Sequence, residues 1–366
     1  MKSFLIAAGL AIVATLALLY SACHPHAGDS CYIMQGLAVY LAPALLILLW
    51  PLVVGIRWII RAWNAPTAGG MTGGRGIALA LLVLVGCGAP KSATPPAPEY
   101  QGFGREQRVA IRGYAGDAME PFITRDGRYL FFNNRNDPRI DTNLHYAERV
   151  DDLTFDYRGE LQGANSPVLD AVPSMDRDGN LYFISTRSYA QTLSTLYRGR
   201  FRAGAVSGVE LVAGVSLGRR GLLVFDAEIS PGGEALFLAD GEFSGGPDPR
   251  SADIAVAVRD GAGFRRHPAS AEFMRNVNTA ALEYAPSISA DLLELFFTRA
   301  QSVAGSLQVA IYRSHRANRD APFDVPERVA AITGLVEAPS LSGDGRSLYY
   351  HKREGNRFVI YRVSRP

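Results

Sequence analysis

Cysteine is nearly absent from the chain. Its 366 residues hold three, Cys23, Cys31 and Cys87, and none follows. The later three quarters therefore have neither a disulfide framework nor a thiol nucleophile. An excess of one charge is also missing, with 37 basic residues against 35 acidic ones. A nucleic-acid surface would show as a strong basic excess or stripe, so the composition argues against that partner. Beyond residue 100 there is no long helical period, no cofactor motif and no metal-ligand spacing, and neither a cofactor nor a metal is expected. The histidines there, His145, His267, His315 and His351, follow no repeat position and have no nucleophile elbow beside them. A Ser/His/Asp triad is thus not supported. The Gly/Pro/Asp-rich loop Glu242–Asp253 lacks the acidic spacing of a calcium loop and reads as a loop tip.

The 48% hydrophobic content is concentrated in the first 90 positions. Phe4 to Tyr20 is an apolar run of about 17 residues and Leu37 to Ile60 one of about 24, each long enough to cross a hydrocarbon core of roughly 30 Å. Residues 1–70 are thus expected to hold two hydrophobic helices (4–20 and 37–60) or an overextended gene start. As a hairpin, Lys2, Arg57 and Arg61 would lie on one side and the Cys23 to Cys31 loop on the other, oxidising side. Cys23, His24, His26 and Cys31 match no closed zinc site.

Gly76 to Gly86 is shorter, about 11 residues, which is the length of a signal-peptide apolar region rather than of a membrane span. Met71 and Arg75 precede it, and "GAPKSATPPAPEY" follows. Leu84, Val85, Gly86 and Cys87 occur in the order Leu, small, small, Cys. This resembles a bacterial lipoprotein signal peptide (71–86), whose cysteine is lipidated and becomes the first mature residue. The resemblance implies a membrane anchor at Cys87, with 87–106 as linker. "LLYSAC", ending at Cys23, is a poorer match because Tyr20 is bulky. Gly88, rather than aspartate, after the cysteine favours the outer membrane by the same resemblance.

From residue 107 the chain repeats itself. "EPFITRDGRYLFF" starts at Glu120, "VPSMDRDGNLYFI" at Val172, "DAEISPGGEALFL" at Asp226, "APSISADLLELFF" at Ala285 and "APSLSGDGRSLYY" at Ala338. Spacings of about 52–59 residues fit propeller blades. In each, a short alternating stretch enters a tight turn and an aromatic-rich strand leaves it, which predicts a β-hairpin. A third strand follows, from Asn143, Thr195, Asp253, Leu307 and Phe358 in turn. Four strands per repeat predict an all-β fold, a five-bladed β-propeller over 107–366. The fifth repeat stops at its third strand, whereas "QRVAIRGYAGDAMEP" from Gln107 is similar to "PERVAAITGLVEAP" from Pro326. The N-terminal strand is therefore expected to complete the last blade and remove the open edges.

The run Pro339 to Tyr350, with its partners at Pro173 and Pro286, resembles the Pro-Asp type of WD40-like β-propeller repeat, the family of the Tol-system periplasmic propeller. The family serves many partners, so the resemblance implies fold and an envelope setting rather than a reaction. Repeat three departs from it with Ala227 and Gly232-Gly233, and repeat four with Asp291-Leu292 where glycine is expected.

An acid precedes or opens each inner strand: Glu120, Asp170, Asp226 with Glu228, Glu283, and Glu337. In a closed ring these carboxylates would surround one mouth, able to hold a cation, a basic peptide or a polyol. They could instead cap backbone amides. Arg187 and Arg299 occupy matching places after the second strand, with Arg135 near the equivalent place in the first repeat, and such arginines read as structural ion-pair partners. The function expected is a lipid-anchored, non-enzymatic binding or scaffold module of the cell envelope for a protein or glycan partner. The alternative is a hydrolase with carboxylates about 5–9 Å apart at the mouth.

Overall fold

The computed structural model describes residues 98–366 except 138–141, 247 and 304. The hydrophobic segments 4–20 and 37–60, the signal-peptide segment 71–86 and Cys87 lie outside the described residues. Among the described residues no helix is long and apolar enough to cross a membrane.

Three short strands lead in: β1 (Glu99–Tyr100), β2 (Gln107–Arg108) and β3 (Ala110–Arg112). Repeat one forms β4 (Met119–Ile123), β5 (Tyr129–Asn133), β6 (Leu144–Arg149) and β7 (Thr154–Glu160). Repeat two forms β8 (Asp170–Met175), β9 (Asn180–Ser185), β10 (Leu196–Arg202) and β11 (Ala205–Leu211). Repeat three gives β12 (Leu222–Ile229), β13 (Ala235–Glu242), β14 (Ser251–Asp260) and β15 (Gly263–Arg266). Repeat four gives β16 (Leu282–Ile288), β17 (Glu294–Val303), β18 (Ser306–His315) and β19 (Glu327–Val329), and repeat five β20 (Val336–Leu341), β21 (Ser347–Glu354) and β22 (Arg357–Ser364). Among the described residues helix is confined to two four-residue turns, Tyr189–Thr192 and Ser270–Phe273. The fold is all-β with several sheets, consistent with a β-propeller.

Within each repeat the strands pair antiparallel with their sequence neighbours. Repeats three and four join in one sheet through a parallel contact of Ala252 with Leu282. Repeat five takes its outer strand from the other end of the chain, β2 pairing antiparallel with β22 at Gln107–Arg362 and Arg108–Tyr361. Residues 98–106, in the segment read above as a linker, also take part. β1 pairs with β19, Phe103 is buried against Phe296, and Glu106 accepts from the Tyr350 hydroxyl and binds Lys352.

Every hydrophobic cluster is shared between consecutive repeats. Phe122 and Phe131 meet Phe183 and Phe201, Tyr182 and Ile184 meet Leu236 and Leu238, and Phe237 meets Phe297 and Phe323. Phe296 and Ile311 then meet Leu348 and Tyr350, and Tyr349 and Ile360 meet Ile123 and Phe155 of repeat one. No repeat buries its apolar faces alone, as expected for stacked units of this kind.

The hairpin turns are alike in all five repeats despite their different sequences. An amide donates three residues back to a carbonyl: Gly127 to Thr124, Gly179 to Asp176, Gly233 to Ser230, Leu292 to Ser289 and Gly345 to Ser342. The donor has positive φ in each, which a glycine adopts freely. Leu292 does so at φ 68, a conformation costing on the order of 1–3 kcal/mol outside glycine. Burial of its side chain in the cluster between repeats three and four, and the bonds of Asp291 to Ser289 and the Leu293 amide, offset that cost.

Candidate functional site

The inner strands share one irregularity. In repeats one, two, four and five the pairing register slips across the proline, as between Met119 and Phe122 and between Glu337 and Ser340, whereas in repeat three it slips earlier, between Val224 and Asp226. Such a bulge re-aims the side chains around it. The six candidate carboxylates sit at different offsets from that proline, and the offset sorts them into three environments.

Asp170 and Glu283, three residues before the proline, are fully buried caps. Asp170 accepts from the Ser166 amide and hydroxyl at 2.5 and 2.7 Å, and from Arg187 at 2.5 Å. Glu283 accepts from the Thr279 amide and hydroxyl at 3.1 and 2.6 Å, and from Arg299 at 2.7 Å. Both arginines also donate to a carbonyl, of Ala164 and Val277, and lie over aromatic rings. Fully buried and each already holding three donors, these two acids present no accessible oxygen to a ligand. Arg135 lies 4.0 Å from Asp117 and does not share their arrangement.

Glu228 follows the position of the proline. There repeats two, four and five carry serines, each accepting an amide from the next repeat around: Ser174 from Ile229, Ser287 from Leu341, and Ser340 from Ile123. Glu228 replaces the serine in repeat three and accepts the Ile288 amide, so its carboxylate is part of the same latch. Its remaining capacity is taken by the Ser174 hydroxyl at 3.1 Å and by Arg125 at 2.6 Å. Arg125 reaches from the hairpin turn of repeat one to repeat three, also donates to the Ile229 carbonyl, and lies over Phe122. Burial pushes the Glu228 carboxyl up in pKa, against the pull of Arg125.

Of the remaining three acids, Glu120 and Glu337 adjoin His351, while Asp226 lies near Glu120 and Glu228. Glu120 and Asp226 stand directly before the proline position and Glu337 two residues before it. The Glu120 amide donates to His351 Nδ1 at 3.1 Å. That nitrogen must therefore be unprotonated, and the ring proton sits on Nε2, 3.0 Å from Glu337 Oε2. Burial disfavours an imidazolium, but Glu337 and Glu120 outweigh it and push the His351 pKa up; the amide donor on Nδ1 opposes this and is met only by the neutral ring. Tyr284 donates to the other Glu337 oxygen at 2.7 Å. Burial pushes Glu337 up, but the bonds from His351 and Tyr284 hold it below the usual carboxylate range. Burial raises Glu120, with a further upward push from Glu337. Burial, then the charges of Glu120 and Glu228, raise Asp226 well above the usual value.

His351 does occupy a repeat position, contrary to the expectation above. It lies thirteen residues after Ala338, where the other repeats have Asn133, Ser185, Ala239 and Thr298. Asn133 and Thr298 accept the Val172 and Ala338 amides as His351 accepts that of Glu120. The mixture of residue types hid the position: Asn133, Thr298 and His351 have in common only an acceptor for the incoming amide, and Ala239 has none. Arg125 and Tyr284 were likewise not singled out from sequence.

Around these groups is one small cavity, lined by Glu120-Pro121, Val172-Pro173, Asp226-Ala227, Ala285-Pro286 and Ala338-Pro339, one pair from every repeat. Its volume is about 20 Å³, room for roughly one water and far below the several hundred Å³ of a ligand pocket. Three of the six acids, Glu120, Asp226 and Glu228, line this space, which is too small for a sugar or peptide, and Asp170, Glu283 and Glu337 do not line it. Among the described residues no cluster of His, Cys, Asp and Glu could hold a metal ion.

Asp226 should make stability depend on pH. Its folded pKa lies above the unfolded one, so the folded state retains a proton that the unfolded chain gives up. The contribution is full below about pH 3.9 and is lost as pH climbs towards the raised folded value. Asp226→Asn, which cannot ionise, should therefore gain in unfolding free energy relative to the parent as pH rises from 4 to 7, by up to about 1.4 kcal/mol per pH unit within the window, and its melting temperature should rise relative to the parent accordingly. Thermal melts of both proteins across that range test this, and a constant difference would refute it.

No family model matches the sequence, and no curated protein does. Among solved structures, a glycoside hydrolase is similar at 11% identity and a TM-score of 0.50, over 74% of this chain and 92% of that one. The catalytic domain of the Coprinopsis cinerea GH62 α-L-arabinofuranosidase is 9% identical, with a TM-score of 0.46, over 73% of this chain and 98% of that one. TolB from Acinetobacter baumannii is 16% identical with a TM-score of 0.39, and this chain covers 55% of its length with 69% of its own. Likeness at these identities concerns fold alone.

Proposed function

We propose that the chain is a five-bladed β-propeller of the bacterial cell envelope, lipid-anchored through Cys87 in the outer membrane, that acts as a non-enzymatic binding or scaffold module for a protein or glycan partner. The blade count is supported by the five shared clusters and by β2 completing the fifth repeat. The observation that carries the functional reading is the size of the central cavity, about 20 Å³, against the 300–1,000 Å³ that a ligand needs. Asp170, Glu283 and Glu228 are consumed by amides and arginines, and Glu337 by His351 and Tyr284.

The hydrolase alternative is favoured by one observation, the raised pKa of both Glu120 and Asp226 beside the same cavity. The test is incubation of the purified protein with a panel of aryl glycosides and polysaccharides. No turnover is expected, and turnover abolished by Glu120→Gln or Asp226→Asn would overturn the reading. Mass spectrometry of the native N-terminal peptide tests the anchor. A lipidated Cys87 is expected, and an intact peptide spanning residues 60–90 would refute it.

A further inference from the structure

The third strand, or the residue just past it, carries an arginine facing the hairpin turn in all five repeats: Arg149, Arg200, Arg259, Arg316 and Arg365. Their partners differ. Arg365 donates to the Gly345 carbonyl and forms a two-pronged pair with Glu294 of the preceding repeat at 2.8 and 2.5 Å. Arg149 pairs with Asp152. Arg316 is buried and donates to the carbonyls of Leu292 and Arg319. Arg259 repeats the Arg365 arrangement in part, donating to the Gly233 carbonyl at 2.7 Å. Where Arg365 meets a carboxylate of the preceding repeat, Arg259 finds only the Tyr182 hydroxyl, at 2.9 Å. Repeat two has Leu181 at the place of Glu294. Arg200 has only Asn180 Oδ1, at 3.3 Å. Neither Arg200 nor Arg259 forms an ion pair among the described residues.

These two arginines line one open groove of about 460 Å³ between repeats two and three, with Asp176, Asp178 and Asn180 on its walls. The groove is polar, with a glycine-rich lining. A side chain at Gly233 would come within 3.0 Å of Asp176 Oδ2 and 3.4 Å of Arg259 Nη2, so the glycine keeps the space between acceptor and donor open. Phe264 holds the Arg259 guanidinium from one side, 4.5 Å from its ring centre.

We propose that this groove binds a carboxylated saccharide, a uronate residue of an acidic glycan, with its carboxylate on Arg259 and Arg200 and its hydroxyls on the exposed Asp178 and on Asn180, Asp176 being buried and held by the turn amides. The missing carboxylate opposite Arg259 is supplied by the ligand, in the fork geometry that guanidinium favours. A peptide of consecutive acidic residues is disfavoured because it brings Asp178 only further charge, whereas each uronate ring also brings hydroxyls that donate to that acid. The volume suits one or two sugar rings. The proposal rests on the binding-module reading above.

Calorimetric titration of the full-length protein in detergent with digalacturonate and with neutral digalactose tests it. Digalacturonate should bind at least about tenfold more tightly. Arg259→Gln should lower that affinity by about tenfold or more with an unchanged melting temperature, and Arg259→Lys should restore it only in part. Arg149→Gln, in repeat one outside the groove, should have no effect. Equal binding of both sugars, no digalacturonate binding at about 10 mM, or tighter Arg259-dependent binding of a poly-aspartate peptide would each overturn the saccharide assignment. In the absence of turnover those failures leave the module reading standing. Hydrolysis of digalacturonate would instead remove the module reading, and the groove would then be judged by the Arg259→Gln affinity alone.

Discussion

Replacing Arg125 with methionine is expected to lower the unfolding free energy by about 3–5 kcal/mol, because the Glu228 carboxylate then lies buried without its cation. Both side chains are only 6% exposed, so water cannot take the place of the guanidinium. For a domain of this size that corresponds to roughly 10 °C in melting temperature. The repeat pattern supplies the rescue. Serine stands at the position of Glu228 in repeats two, four and five, where it accepts the same amide. Adding Glu228→Ser to Arg125→Met removes the buried charge while keeping an acceptor for Ile288, and most of the lost stability should return. Urea unfolding of the parent, both single variants and the double variant measures this as a thermodynamic cycle. Additive losses would mean that the two side chains stabilise the fold independently.

The second large effect concerns the lead-in strands. Replacing residues 98–109 by a Gly/Ser segment of equal length should remove β1 from β19, β2 from β22, Phe103 from its cluster and the Glu106 bonds to Tyr350 and Lys352. Loss of the buried Phe103 ring alone costs about 3–5 kcal/mol, and β22 would be left as an open edge prone to pairing with other copies. The variant should unfold at lower urea and elute partly as oligomers in gel filtration, and a synthetic 98–109 peptide should reverse both by strand addition. A monomeric variant with an unchanged midpoint would show that repeat five is stable on three strands.

Much of this architecture can be read in the amino-acid sequence, and the reasons differ by element. The hairpins are local: alternation, a turn and an aromatic strand occupy consecutive residues, and even repeat four, lacking its glycine, forms the turn with Leu292 at positive φ. The Arg187 and Arg299 pairings were also legible as structural, since each acid and arginine stand at matched offsets. The sorting of the six carboxylates was not. Asp170, Glu337, Glu120 and Glu228 differ by only one to three residues in offset from the proline, and a register slip decides which way each one points. Nor could sequence show Arg125 crossing to Glu228, 103 positions away. The unpaired state of Arg259 becomes visible only when Glu294 is seen opposite Arg365.

The pairing of Gln107 with Arg362 also governs the order of events in synthesis. A strand made early must wait for one made much later, so repeat five cannot be completed until β22 has been synthesised. Until then Phe103 and Val109 lack their partners Leu348 and Ile360, and apolar surface stays open at both ends of the array. Such long-range closure is slow compared with local hairpin formation. Closure of the fold thus waits on β22, and the interval before it is when the protein is most exposed to aggregation and proteolysis.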